Sequence, residues 1–339
     1  METEQLIPPL QQTYLYFRLT REPRNATRLT EFILTVFKIS FCSLGLWGHQ
    51  SWNYIPRILF MVVCVYQVVY QLHIDFTGCP NFDCRRFMQN LTDNDTLRKD
   101  DVATGNALFS IVSLAAVISY LIFIGCFFVA RRKDSALVSP SESMMVDINK
   151  TDAILLFLAF VFVIATFMGL GASFYKIPAT NQIRDPFTIA VVTGTGAQFL
   201  VHWASINTCH VFAVSSSTIG TFAQDALRRI QDVQIKTLDD VIRIHEDLCT
   251  VVFNTVSAYS VWFVLHWFTY GAGVVVAVIY TEEEVISRTK YHTQMPEFVF
   301  LGLLFVSVLY LFVFPCVCAA RITSNCAGKI TDAKNNTPH

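Results

Sequence analysis

The sequence predicts an all-α polytopic membrane protein, a helical bundle of six clear spans preceded by an N-terminal interfacial helix. Three observations predict it. Hydrophobic residues are 53% of the chain and charged residues only 15%, against about a quarter charged in an ordinary soluble domain. The charge deficit is confined to discrete apolar runs of roughly 20 residues, the length that crosses a hydrocarbon core. Lys and Arg are spread unevenly over the loops between those runs.

Residues 1–54 are read as a cytosolic N-terminus. Glu2 and Glu4 precede the first apolar stretch and no basic region leads into a short apolar core, so no cleavable signal is expected and the first true span acts as its own insertion signal. Phe32–Gly48 is short and carries Lys38, Ser40 and Ser43. A Lys near a span centre costs about 2.5–3.5 kcal/mol on insertion scales. Its apolar Phe32, Val36, Ile39 and Leu46 alternate with polar residues, which predicts a helix lying at the cytosolic interface. The transmembrane bundle occupies 55–320, with spans at about 55–73, 105–130, 153–174, 187–214, 251–280 and 298–320. No internal repeat or low-complexity tract interrupts them.

The loops differ in chemistry. Residues 74–104 form the expected outer loop. It carries glycosylation sequons at Asn90 and Asn94 and a close pair, Cys79 and Cys84, that can bridge on an oxidising side. Further sequons at Asn25, Asn149 and Asn335 fall on the expected cytosolic side. Residues 215–250 are polar but periodic. Phe222, Ala226, Ile230 and Val233 make one stripe, and Leu238, Val241, Ile242, His245 and Leu248 a second. This predicts a cytosolic helical hairpin that extends the flanking spans, with a solvated loop as the alternative. Residues 321–339 are a polar cytosolic tail.

Charge sets the orientation. With Phe32–Gly48 at the interface the N-terminus is inside, and the cytosolic side holds 17 Lys and Arg against 8 outside. With Phe32–Gly48 spanning, the N-terminus is outside, the count is 12 against 12 and Lys38 is buried. The positive-inside rule favours six spans, and a plasma-membrane protein with a cytosolic N-terminus is expected.

The motifs exclude more than they name. His245 and Cys249 lie one helical turn apart, but no second pair sits at metal-ligand spacing, so no metal or other cofactor is expected. Cys316, Cys318 and Cys326 follow the last span, where apolar packing and palmitoylation are the two readings. Gly169–Gly171 and Gly194–Gly196 lie inside spans and read as close helix packing rather than phosphate loops. With no Ser/His/Asp set, paired-carboxylate site or nucleotide-binding motif, an enzyme is not expected. A net charge of −1 gives no nucleic-acid reading.

No Asp, Glu, Lys or Arg lies near a span centre, which argues against an ion-coupled carrier. The intramembrane polar residues are neutral: Tyr120, Thr193, Thr195, Gln198, His202, Asn207, His210, His266 and Tyr270. Such groups suit a small uncharged ligand. Depth selects Thr195, Gln198, His202, His266, Trp267 and Tyr270, and Tyr120 joins them as an intramembrane polar residue, as candidate ligand-binding residues for an outward-facing cavity. The alternative for each is a partner on a neighbouring helix or a place among lipid headgroups.

Three segments carry a family resemblance. Phe37–Trp47, with its Leu44–Gly45–Leu46 step, is similar to the segment before the first span of the insect gustatory and odorant receptor superfamily. Ile244–Cys249 followed by Asn254–Ser257 resembles the start of that family's fifth span. Pro315–Ile322 resembles the cytosolic end of its sixth. The resemblance implies an all-helical protein with its N-terminus inside, in a tetrameric ligand-gated cation channel whose pocket lies in the outer half of each subunit. The chain departs from the family at the pore-lining seventh span, since only the 19 residues of the largely polar segment Arg321–His339 follow Ala320; a truncated product and a relative that does not conduct by itself are the two readings. The leading expectation is therefore a gustatory-receptor-like chemosensory protein that binds a small extracellular molecule, in a homo- or hetero-oligomer in the bilayer, with conduction in question. A seven-span G-protein-coupled chemoreceptor is the first alternative, although Arg131–Lys133 is only a stop-transfer cluster. A membrane scaffold or transporter is the second.

Overall fold

The computed structural model describes residues 28–46, 54–77, 111, 113–126, 150–174, 186–231, 238–291 and 295–335. Among these every regular element is a helix. They are α1 (Arg28–Ser43), α2 (Tyr54–Thr77), α3 (Ser113–Cys126), α4 (Lys150–Phe174), α5 (Pro186–Gln231), α6 (Leu238–Tyr291) and α7 (Met295–Asn335). Three contain stretches long and apolar enough to cross a membrane: Tyr54–Leu72, Ile242–Ile279 and Phe305–Ser324. Ser113–Cys126 and Ala153–Ala165 are shorter apolar stretches. The proposed outer loop lies outside the described residues, and Cys79, Cys84, Asn90 and Asn94 with it.

α5, α6 and α7 run unbroken for 46, 54 and 41 residues. At a rise of 1.5 Å per residue they reach about 60–80 Å, well beyond the 40–45 Å of a bilayer with its headgroups. Any of them that crosses a membrane must project from it. α7 continues as helix through Arg321 to Asn335, where a polar tail was expected.

α5 is the hub. It packs against α1, α2, α4, α6 and α7. Its stretch 204–216 is buried on every side, and much of it is small: Ala204, Ser205, Thr208, Cys209, Ala213, Ser215 and Ser216. Small side chains let neighbouring backbones approach closely. Three of the hydroxyls are satisfied within α5 itself. Thr208 donates to Ser205 O at 2.7 Å, Ser215 to Val211 O at 2.9 Å and Ser216 to Phe212 O at 2.8 Å. Such back-bonding lets a hydroxyl sit among apolar neighbours without an orphaned proton.

The apolar surface is arranged the other way round from a soluble protein. On α2, Val62, Val65 and Val69 are exposed while Gln67 and Gln71 are buried. On α6, Phe253, Val261, Val264, Phe268 and Val275 are exposed while Thr255 and His266 are buried. An exterior this apolar marks a membrane or partner surface.

α1 packs into the bundle against α4 and α5. The face it buries takes in only part of the expected apolar set, Leu46 but not Phe32 or Ile39. Phe32 and Ile39 are 57% and 64% exposed, whereas Ile33, Phe37, Ser40, Phe41 and Leu44 are buried. Phe37 meets Phe160 of α4 and His210 of α5, and Ser40 donates to Asn207 Oδ1 at 2.6 Å. The helix ends at Gly45, whose φ of 66° is left-handed. Leu46 N–H donates to Phe41 O at 2.8 Å and Gly45 N–H to Cys42 O at 3.0 Å. This is the paired 6→1 and 5→2 bonding of a Schellman cap, which favours Gly because a Cβ would clash. Arg57 of α2, 3% exposed, donates from Nε to Gly45 O at 2.7 Å, placing a cation at the negative end of the α1 dipole.

Candidate functional site

A 3.6-residue stripe on α6 builds the centre of the molecule. Thr255, Tyr259, Trp262, His266, Tyr270 and Ala277 follow it and all are buried. Trp262 is the hub of an aromatic cluster. Its ring lies 5.5 Å from Phe123 of α3, 5.2 Å from Phe212 of α5 and 4.9 Å from His266. Tyr259 adds an edge against Phe212 at 5.3 Å and a hydroxyl 3.2 Å from Ser215 Oγ.

Polar contacts thread through this cluster. His266 Nε2 lies 2.9 Å from Leu311 O of α7, a pure acceptor, so Nε2 carries the proton. Nδ1 is then the acceptor, and Ser119 Oγ of α3 donates to it at 2.7 Å. Trp262 Nε1–H donates to Ser119 Oγ at 3.1 Å. Cys209 Sγ stands 3.5 Å from Nε2 and takes at most a weak share. Beside the ring, Tyr270 and Ser205 share a hydrogen bond of 2.5 Å. The set joins α3, α5, α6 and α7.

A second buried histidine lies on α5. The His210 ring is enclosed by Phe37, Phe160, Phe314 and Tyr310, at centroid distances of 5.9, 5.3, 5.5 and 6.4 Å. Nδ1 donates to Ile206 O at 2.7 Å. Nε2 has no partner in good hydrogen-bond geometry among the described residues, and neither does the Tyr310 hydroxyl, although the His210 ring also meets the Leu156 backbone of α4. The Gln67 amide on α2 and the Ser307 hydroxyl on α7 are also buried without partners.

The expected ligand-binding residues separate into three groups. Tyr120, His202, His266 and Tyr270 are buried. Tyr120 donates to Leu44 O at 3.4 Å, so it helps cap α1, and His266 and Tyr270 belong to the network just described. Trp267 is 41% exposed, turned off the buried stripe, and stacks on Phe312 of α7 at 5.5 Å. Thr195 and Gln198 lie on α5, where their side chains fall outside the described residues. His245 and Cys249 approach to 3.7 Å but are exposed, and no group of three potential metal ligands forms among the described residues.

No protein-family model matches the chain, and no curated protein matches it.

The sequence reading did not single out Ser119, Ser205, Trp262 or Tyr259. The stripe on α6 was available as a signal, because Tyr259, Trp262, His266 and Tyr270 recur at helical spacing. The serines gave none, since a hydroxyl in a span is as often back-bonded to its own helix.

Proposed function

We propose that the chain is a gustatory-receptor-like chemosensory membrane protein that binds a small, uncharged molecule bearing hydrogen-bonding groups. One observation carries this reading. Gln67 Nε2 and Oε1, Ser307 Oγ and Tyr310 Oη are buried, neutral and unpaired among the described residues, and His210 Nε2 has no partner in good hydrogen-bond geometry. Buried polar atoms are normally paired by protein, water or ligand. A neutral ligand with a hydroxyl or amide satisfies them without bringing a charge into the bilayer. The binding locus then shifts from the paired His266 set toward α2, the middle of α5 and α7. By the resemblance of Phe37–Trp47, Ile244–Cys249 and Pro315–Ile322, the activity is that of a ligand-gated cation channel in an oligomer, with the N-terminus cytosolic. The test is whole-cell recording with a panel of uncharged sugars, alcohols and amides. A current evoked by one of them, and lost in Gln67→Leu/Tyr310→Phe, is the expected result. A silent panel in surface-expressing cells, together with saturable uptake of a solute, favours a transporter instead.

The packing of α1 against α4 and α5 favours a second reading. A helix built into the bundle suits a seven-span G-protein-coupled chemoreceptor, which needs an external N-terminus. An epitope tag before Met1 separates the two. Antibody labelling only after permeabilisation supports the gustatory-receptor-like topology, and labelling of intact cells supports seven spans.

A further inference from the structure

We propose that α7 contains a proline hinge and that His266 is its latch. Pro315 lies inside the continuous helix Met295–Asn335. Proline has no N–H, so the carbonyl four residues earlier, Leu311 O, loses the donor that closes its turn. An apolar interior offers no water to replace it. The replacement is His266, whose Nε2–H reaches Leu311 O at 2.9 Å. The imidazole supplies from α6 the hydrogen bond that α7 cannot make for itself.

The rest of the network holds the latch in the tautomer it needs. Ser119 donates to Nδ1 at 2.7 Å, which keeps that nitrogen an acceptor and the proton on Nε2. Trp262 donates to Ser119 at 3.1 Å, which directs the serine proton toward the ring. The same turn of α6 grips the next residue of α7. Trp267 stacks on Phe312, and a Cβ on Gly271 would stand 3.2 Å from Phe312 Cε2. The small residue leaves the Phe312 ring close to the α6 backbone, and a Cβ there would make the ring give by a few tenths of an ångström.

With the latch closed, α7 continues as one helix through Pro315. With His266 withdrawn, Leu311 O is orphaned and the segment beyond Pro315 is free to bend against the segment before it. The device needs no ligand and stands independently of the receptor reading. A protein that binds nothing and conducts nothing still carries it.

A rescue experiment tests it. Pro315→Ala restores an N–H four residues after Leu311 and makes the latch redundant. Amide deuterium exchange is followed on the full chain in detergent micelles, in peptides covering 311–322 and, for comparison, α2. His266→Phe is expected to speed exchange about tenfold in 311–322 and to leave α2 unchanged. In the Pro315→Ala background the same substitution is expected to change exchange less than about twofold. Equal acceleration in both backgrounds, or acceleration spread over α2, overturns the proposal. Where His266→Phe does not fold, Ser119→Ala replaces it, because it frees the tautomer while leaving the ring in place. Local acceleration relieved by Pro315→Ala supports the latch, and its persistence in that background overturns it.

Discussion

His266 and His210 are both buried neutral rings among aromatics, yet they do opposite things. Each donates to a backbone carbonyl. Ile206 O, the partner of His210, lies four residues before His210 in α5, so the backbone ladder already supplies it with a donor. Leu311 O, the partner of His266, has lost its ladder donor to Pro315. One ring adds a second bond to a satisfied carbonyl and otherwise makes only a weaker contact with the Leu156 backbone; the other satisfies an orphan and has both nitrogens well bonded. A buried histidine is thus structural or available according to what its partner would lack without it.

The largest expected effect comes from removing each ring. His266→Leu orphans Leu311 O and takes away the acceptor of the Ser119 hydroxyl, and is expected to destabilise the protein by about 2–4 kcal/mol. His210→Leu removes a redundant bond and a weaker contact with the Leu156 backbone, and is expected to change stability by less than about 1 kcal/mol. Thermal unfolding of both variants in the same micelles measures the difference. Equal losses would erase the distinction between the rings.

A smaller effect is expected at Arg57, the charged counterpart of the closed arrangement. Its Nε donates to Gly45 O, and Tyr120 reaches Leu44 O one residue away. Both therefore hold the C-terminal carbonyls of α1. Arg57→Met keeps the apolar stem but removes the donor, at a cost of about 1–3 kcal/mol. The loss should be local. Protease cleavage within α1 is expected to accelerate while cleavage in α5 stays unchanged. Acceleration in both would mean that α1 is not a separately held element.

The helical, membrane-type character of the chain was legible because apolar runs of span length have few other uses. The inward placement of Tyr120, His202, His266 and Tyr270 was legible for a related reason: a polar side chain in such a run turns away from lipid. The buried face of α1 was not. Phe32 and Ile39 are as apolar as Ile33 and Phe37, and lipid accepts an apolar side chain as readily as the bundle does. Hydropathy thus loses, inside a bilayer, the power to tell core from exterior. Trp267 fails for a simpler geometric reason. It is the neighbour of His266, and one residue is a turn of about 100°, so both cannot face the same way. The latch was half legible. Pro315 announces an orphaned carbonyl at Leu311, but which helix answers it is a tertiary fact.

The smallest effect tests how tightly the closed arrangement is built. Gly271 lies on α6 just beyond Tyr270, and an added Cβ would meet the edge of the Phe312 ring at 3.2 Å. Phe312 is half-buried and stacked against Trp267, whose own outer face is exposed. The ring therefore has room to give by a few tenths of an ångström. Gly271→Ala also removes a helix-interior glycine, which favours the helix by roughly 0.5–1 kcal/mol. The two terms nearly cancel, and a net change within about 1 kcal/mol in unfolding is expected. Trp267→Leu in the same background lets Phe312 move further and should turn the balance toward stabilisation. A loss of several kcal/mol from Gly271→Ala alone would mean that the α6–α7 contact is rigid beside Pro315. It would also mean that the segment around the latch cannot yield when His266 is withdrawn.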